Sequence, residues 1–304
     1  TPRELAEISQ KAQSGLEPYK SALASLLTTV DNGKFQPAPV GAVTCKASDS
    51  PPYLTAGAPL VYGLALAYQL TGENRYADRV RTAIRGLCGI TSFGGGDGPL
   101  TLGRHIPGWV RAADLIDDYW AKTEKKAFQD WLAAVVYPSL LTKYRRPNNW
   151  GAVITNAGQH IADFCHDRPE MKLGDQTPAA AYQLHRQQAL DRMNGLCWED
   201  DNAPEGKAMI RPDGGIPDEI RRTEGASYDD TALKAGTAGH SYTEGHIGAL
   251  IAQAELCWRR GDSAIYDNIM TAAGKTPNGV VLPAGRGSLK QAILFVIEPP
   301  NWIE

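Results

Sequence analysis

The chain has 304 residues, and its 31 Lys and Arg against 34 Asp and Glu give a formal charge of -3 with the two signs interspersed. No basic stripe follows from this, so no nucleic-acid partner is expected. No run approaches the roughly 20 apolar residues a membrane helix needs, so no membrane partner is expected either.

Residues 4 to 29 carry apolar side chains at helical spacing (Leu5, Ile8, Ala12, Leu16, Tyr19, Leu23, Leu26, Leu27) and predict one opening helix. The stretch 31 to 52 has no periodicity and predicts a surface loop. GAPLVYGLALAYQLTG predicts a helix stopped at Gly72, and NRYADRVRTAIRGLCG a helix capped by Asn74 and ended by Gly89. Joined by TGEN, the two form a helical hairpin. A Gly-rich loop from 89 to 107 precedes IPGWVRAADLIDDYW and EKKAFQDWLAAVVYPSLL, and then come NNWGAVITNAGQHIADFCH and TPAAAYQLHRQQALDRMNGL. A helix from His240 to Arg260 with a partner from Ser263 to Ala273, and a last one at SLKQAILFVIE, complete the series. Strand alternation is confined to Val280 to Leu282.

Serial antiparallel hairpins without a strict repeat predict an all-α fold, an incomplete (α/α) toroid or barrel forming one domain over residues 1–304. Loops as long as 31–52, 89–107 and 196–239 are uncommon unless functional and are expected to gather at one rim and shape a groove. The five cysteines are widely spaced, with no CxxC pair. Cys88 and Cys257 fall in apolar helical patterns and read as core, whereas Cys165 and Cys197 flank one hairpin and are able to pair in an exported protein. There is no HExxH, no clustered Asp and His and no EF-hand loop, so neither a metal nor another cofactor is expected.

Chemistry-bearing residues concentrate in RPDGGIPDEIRRTEGASYDDTALKAGTAGHSYTEGHIGALIAQAE, from Arg211 to Glu255, which opens as a turn-rich segment and closes as a helix. Glu219, Arg221, Arg222, Tyr228, His240, Tyr242, Glu244 and His246 crowd into it, more than a structural loop requires. Arg221 and Arg222 either pair with neighbouring carboxylates on a solvated surface or point into a groove, where a planar guanidinium grips an acidic ligand. A second concentration is RRPNNWG, Arg145 to Gly151. Asn148 or Asn149 suits a helix cap; the pair followed by Trp150 also offers amides to a carboxylate and an indole face to a sugar ring.

NNWG at a helix start, DGGIPDEIRR, and YTEGHIGALIAQAE together resemble the alginate lyase superfamily of helical-toroid polysaccharide lyases, over residues 55 to 298. Family five alginate lyases have an Asn-Asn pair followed by a catalytic histidine, a Gly-x-x-Pro-x-Glu segment leading to an arginine, and a tyrosine opening a helix that runs to Ala-Glu. The last part matches here from Tyr242 to Glu255 in one register. The resemblance implies that Asn149 neutralises a uronate carboxylate, that Arg222 assists, and that Tyr242 is the catalytic tyrosine. It departs in two places: Trp150 stands where those enzymes have histidine, and Tyr228 rather than Tyr242 lies at the family's short distance from the arginine. The helix register favours Tyr242.

These groups suit β-elimination. Removing the C5 proton of a uronate builds charge onto a carboxylate that is already anionic, and amide and guanidinium donors aimed at it stabilise that charge. A base takes the proton and an acid protonates the O4 leaving group. A tyrosine hydroxyl ordinarily titrates at about 10, and a nearby arginine favours its phenolate. One tyrosine serves both steps when proton and leaving oxygen share a face of the sugar; otherwise a second group is needed, for which His240 is the candidate and His160 and His185 the reserves. Asn148, Trp150, Tyr228, Arg221, Glu219 and His246 are expected to bind substrate. The alternatives are an inverting glycoside hydrolase, needing two carboxyls roughly 6.5 to 9.5 Å apart from among Asp114, Asp117, Asp218, Glu219 and Asp229, and a non-catalytic module that binds acidic glycan. The partner expected is an acidic polysaccharide, the chain a monomer, and its location secreted or periplasmic with an export signal removed.

Overall fold

A computed structural model describes residues 1–46, 50–197, 209–224, 237–276 and 279–298, with backbone alone at 221–224 and 237–238. The fold is all-α with short strands, and the chain divides into two compact units: Thr1–Ser139 with Lys172–Gly174, and Leu140–Met171 with Asp175–Glu304.

The first unit contains α1 (Pro2–Gln13), α2 (Tyr19–Asn32), β1 (Gly41–Thr44), α3 (Pro52–Thr55), α4 (Gly57–Thr71), α5 (Asn74–Leu87), β2 (Ile90–Gly94), α6 (Gly98–Leu115) and α7 (Lys122–Trp131). A π-helical turn, Leu132–Val136, then runs into α8 (Tyr137–Leu141). The opening run is two helices rather than one, because Gly15 and Pro18 interrupt its apolar periodicity. The hairpin of α4 and α5 forms as expected, α4 ending at Gly72 in the left-handed conformation. Glu73, not Asn74, is the N-cap of α5, and Cys88 rather than Gly89 is its C-cap.

Two of the expected loops carry structure. Residues 41–44 pair in parallel with residues of β2, with Val43 opposite Phe93 and Thr44 opposite Gly94. From Gly98 the supposed remainder of the Gly-rich loop is already α6, with Pro99 in its first turn and Pro107 tolerated inside it. The π-helical turn falls just before Pro138, which has no N–H to donate to the carbonyl four residues back. Helix α4 is buried nearly all round and packs on α5 and α6.

The second unit contains α9 (Asn149–Phe164), α10 (Pro178–Met193), α11 (Pro217–Glu224), α12 (Thr237–Arg259), β3 (Gly274–Lys275), β4 (Val281–Leu282) and α13 (Leu289–Ile297). Its centre is α9, 14 of whose 16 residues are buried, flanked by α10 and α12. Around them Met193, Ile210, Ile216, Ile247, Leu250, Cys257, Ile265 and Leu289 form one apolar cluster. The strand expected near Val280 is present as β4, antiparallel to β3. The partner helix expected from Ser263 to Ala273 is absent. After one turn, the amide of Asn268 donates to Asn194 Oδ1 (2.9 Å) and the Gly287 carbonyl (2.8 Å), and Met270 bridges to Arg286, so tertiary bonds replace a helical ladder. No disulfide links Cys165 and Cys197; both are buried thiols.

Candidate active site

The site is built on the starts of α9, α11 and α12. Asn148 is the N-cap of α9: its side-chain oxygen accepts from the backbone N–H of Trp150 at 3.1 Å. The cap is therefore Asn148 and not Asn149, which is the first residue of α9. Asn149 is buried, and its amide nitrogen lies 4.0 Å from where a Cβ would stand on Gly245 of α12, so its side chain faces the α12 backbone at a position without a side chain.

The α11 segment reaches the same place through a tight turn. Arg211 N–H donates to the Gly215 carbonyl (2.9 Å), Gly214 N–H to the Arg211 carbonyl (2.9 Å) and Gly215 N–H to Asp213 Oδ1 (3.1 Å). Gly214 has φ of +89°, and a Cβ there would stand 2.2 Å from the Gln291 carbonyl oxygen, so only glycine closes this turn against α13. Pro217 then starts α11, which the turn-rich sequence had concealed.

Glu219, in the first turn of α11, is fully buried. Its Oε1 accepts from the backbone N–H of Asn149 and stands 2.9 Å from Nδ1 of His246, also fully buried. One carboxylate thus ties the α9 start to α12. Glu219 and His246, both expected to meet substrate, are enclosed.

On α12, residues three and four apart share a face. Tyr242, half-buried, stands with Gly245 and His246, on the side against which the Asn149 amide lies. His240 precedes Tyr242 by two residues, and within one helix that spacing turns the two side chains to different sides. Its Nδ1 stands 3.7 Å from the Glu244 carboxylate. The reserve histidines are held within the core: His160 Nδ1 contacts the Asn156 carbonyl at 2.9 Å, and His185 is wholly enclosed against Gly158. Burial, then the Arg192 charge, pushes the His185 imidazole down to about 3, so it stays neutral. One face of Trp150 is occupied by the Arg146 guanidinium, 4.3 Å from the ring centre.

Arg221 and Arg222 lie on α11, Arg222 one helical turn after Glu219, but their side chains lie outside the described residues, as does Tyr228 entirely. Among the described residues no group of three or more His, Cys, Asp or Glu is placed to hold a metal ion, and no helix is long and apolar enough to cross a membrane. Of the carboxyls weighed for a hydrolase, Asp218 and Glu219 of α11 are buried. Two residues not anticipated from the sequence brace the site. Arg192 of α10 is fully buried behind the RRPNN turn, and Gly245 is the α12 position that the Asn149 amide lies against. Arg192 had a sequence signal: it shares the buried stripe of α10 with His185 and Ala189, where a charge is out of place.

A family model described as alginate lyase matches residues 53–268. A solved alginate lyase from Bacteroides ovatus shares the fold, with a TM-score of 0.61 at 16% identity over 97% of this chain and 81% of that one. A search of curated proteins returns no match.

Proposed function

The chain belongs to the alginate lyase family and is a polysaccharide lyase, and from that premise we propose that it cleaves a uronate polymer by β-elimination at the junction of α9, α11 and α12. The observation that carries this reading is the Asn149 amide, placed by the buried Glu219–His246 pair against the face of α12 that bears Tyr242.

Asn149 takes the role of donor to the substrate carboxylate, where charge grows as the C5 proton leaves. Arg222, one turn beyond Glu219, supplies the cationic partner. Tyr242 removes the C5 proton and returns a proton to O4 as the glycosidic bond breaks, leaving a C4–C5 double bond on the new non-reducing end. Helix geometry separates His240 from this face, so the phenol performs both steps from one side of the ring. That suits mannuronate and glucuronate, whose C5 proton and C4 oxygen lie on the same side, and disfavours guluronate, in which they lie on opposite sides.

Incubation with mannuronate-rich alginate, guluronate-rich alginate, glucuronan and hyaluronan, followed by ultraviolet absorbance of the unsaturated product, tests the proposal. Absorbance growth on mannuronate or glucuronate polymers is expected. New reducing ends without absorbance would replace elimination by hydrolysis, and binding without either would leave only a glycan-binding module.

A further inference from the structure

The turn that delivers Asn149 is gripped from behind at three consecutive carbonyls. Arg192 Nη2 donates to the Tyr144 carbonyl at 2.9 Å, the Cys197 thiol to the Arg145 carbonyl at 2.9 Å, and Arg192 Nε to the Arg146 carbonyl at 3.2 Å. The remaining Arg192 nitrogen, Nη1, reaches Thr155 Oγ1 at 3.2 Å, itself bonded to the Gly151 carbonyl in the first turns of α9. Space here is tight. A Cβ on Gly151 would lie 1.9 Å from the Arg146 oxygen and 2.7 Å from Arg192 Nη2, so the turn folds back on α9 with the guanidinium wedged behind it.

A wholly buried guanidinium is costly to desolvate, and an apolar residue would fill the core without that cost. Desolvation lowers the pKa of Arg192, while the charges of Asp191 and Glu219 oppose that fall. The direct hold of Arg192 on the site is through the backbone before Asn149, at the Tyr144 and Arg146 carbonyls. We infer that Arg192 and Cys197 are positioning residues for the elimination, holding the Tyr144–Arg146 carbonyls so that Asn149 meets the substrate carboxylate in register. This rests on the reading of Asn149 given under Proposed function.

The same unit contains a control. Arg286 is also buried and also grips three carbonyls, those of Asn194, Ala272 and Pro283 at 3.1, 3.0 and 2.9 Å, but none belongs to the site. The experiment measures melting temperature, kcat and KM on the best uronate polymer for Arg192→Lys, Cys197→Ala and Arg286→Lys. Arg192→Lys is expected to lower kcat by about a hundredfold with KM within about twofold, the signature of a misplaced group rather than lost binding. Cys197→Ala, which frees the Arg145 carbonyl and removes weaker sulfur contacts to Gln188 Oε1 (3.4 Å) and Arg192 Nη2 (3.9 Å) while keeping both Arg192 carbonyl bonds, gives a smaller loss of the same kind and decides the matter if Arg192→Lys does not fold. Arg286→Lys lowers the melting temperature but leaves kcat within about twofold.

In an Asn149→Gln background, Arg192→Lys is expected to cost no more than about threefold further, because both changes act through one amide. Wild-type kcat in Cys197→Ala and Arg192→Lys, an equal loss in Arg286→Lys, or a fully additive cycle would overturn the inference while leaving the lyase assignment standing. Wild-type kcat in Asn149→Gln would overturn the reading of Asn149 itself, and the positioning role with it.

Discussion

Asn149 and His246, almost a hundred residues apart in the chain, converge on a single oxygen, Oε1 of the buried Glu219. Removing that carboxylate strands a backbone N–H and an imidazole nitrogen in the interior. Glu219→Ala is therefore expected to lower unfolding free energy by about 3–5 kcal/mol, and Glu219→Gln, which keeps an acceptor, to lose less. Urea denaturation measures both; equal stability of Glu219→Ala and wild type would show that the convergence carries no weight.

On the proposed mechanism the adjacent asparagines have different jobs and should separate in experiment. Asn148→Ala removes the cap of α9 and is expected to cost about 1 kcal/mol of stability with little change in kcat. Asn149→Ala is expected to lower kcat by about 10²–10³, the scale for a donor aimed at developing charge. Denaturation and steady-state kinetics on the same preparations make the comparison, and a reversal of the two patterns would exchange their roles.

Tyr242 and His240 form a second contrasting pair. Tyr242→Phe deletes the proposed proton carrier, and its kcat should fall by about 10²–10⁴. His240→Ala should keep turnover within a few-fold, since helix α12 turns His240 away from the phenol. A histidine variant as inactive as the phenylalanine variant, on every polymer accepted, would restore a two-residue acid–base mechanism.

Acid should unfold the protein partly through His185. The unfolded chain takes up a proton there below about pH 6.5, whereas in the folded protein burial and Arg192 delay protonation to about 3. Its influence is absent above the unfolded pKa, and stability is lost as pH falls from there toward the folded value, at up to about 1.4 kcal/mol per pH unit. His105, pushed down to about 4 by burial and then by the Arg104 charge, acts in the same sense. His185→Gln should flatten the dependence of unfolding free energy on pH between 6 and 4 by about one proton; an unchanged slope would mean that His185 is already protonated in the native state.

Much of the helical framework was legible because period-3.6 patterns and punctuation agree, as at Gly72 and at Thr177, whose hydroxyl caps α10. What escaped notice was set by distant partners. Ser263 to Ala273 reads as helical, yet bonds from Asn268 to Asn194 and Gly287 draw it into another path. Residues 41–44 form a strand only because β2, about fifty residues on, lies alongside. In the site, NNWG announced itself through two amides where one cap suffices, but what distinguishes them includes the distant Glu219, which accepts from the Asn149 backbone and which the local sequence does not reveal. Cys197 looked like half of a disulfide because spacing says nothing of the Arg145 carbonyl beside its sulfur.

Helix α9 has almost no outward side, with all but Trp150 and Asp163 of its residues buried. Altered specificity is therefore hard to obtain by changing that helix, where nearly any replacement disturbs packing before it meets a glycan. Mutational tolerance lies instead along the exposed positions of α12, at Ser241, Glu244 and Gly248.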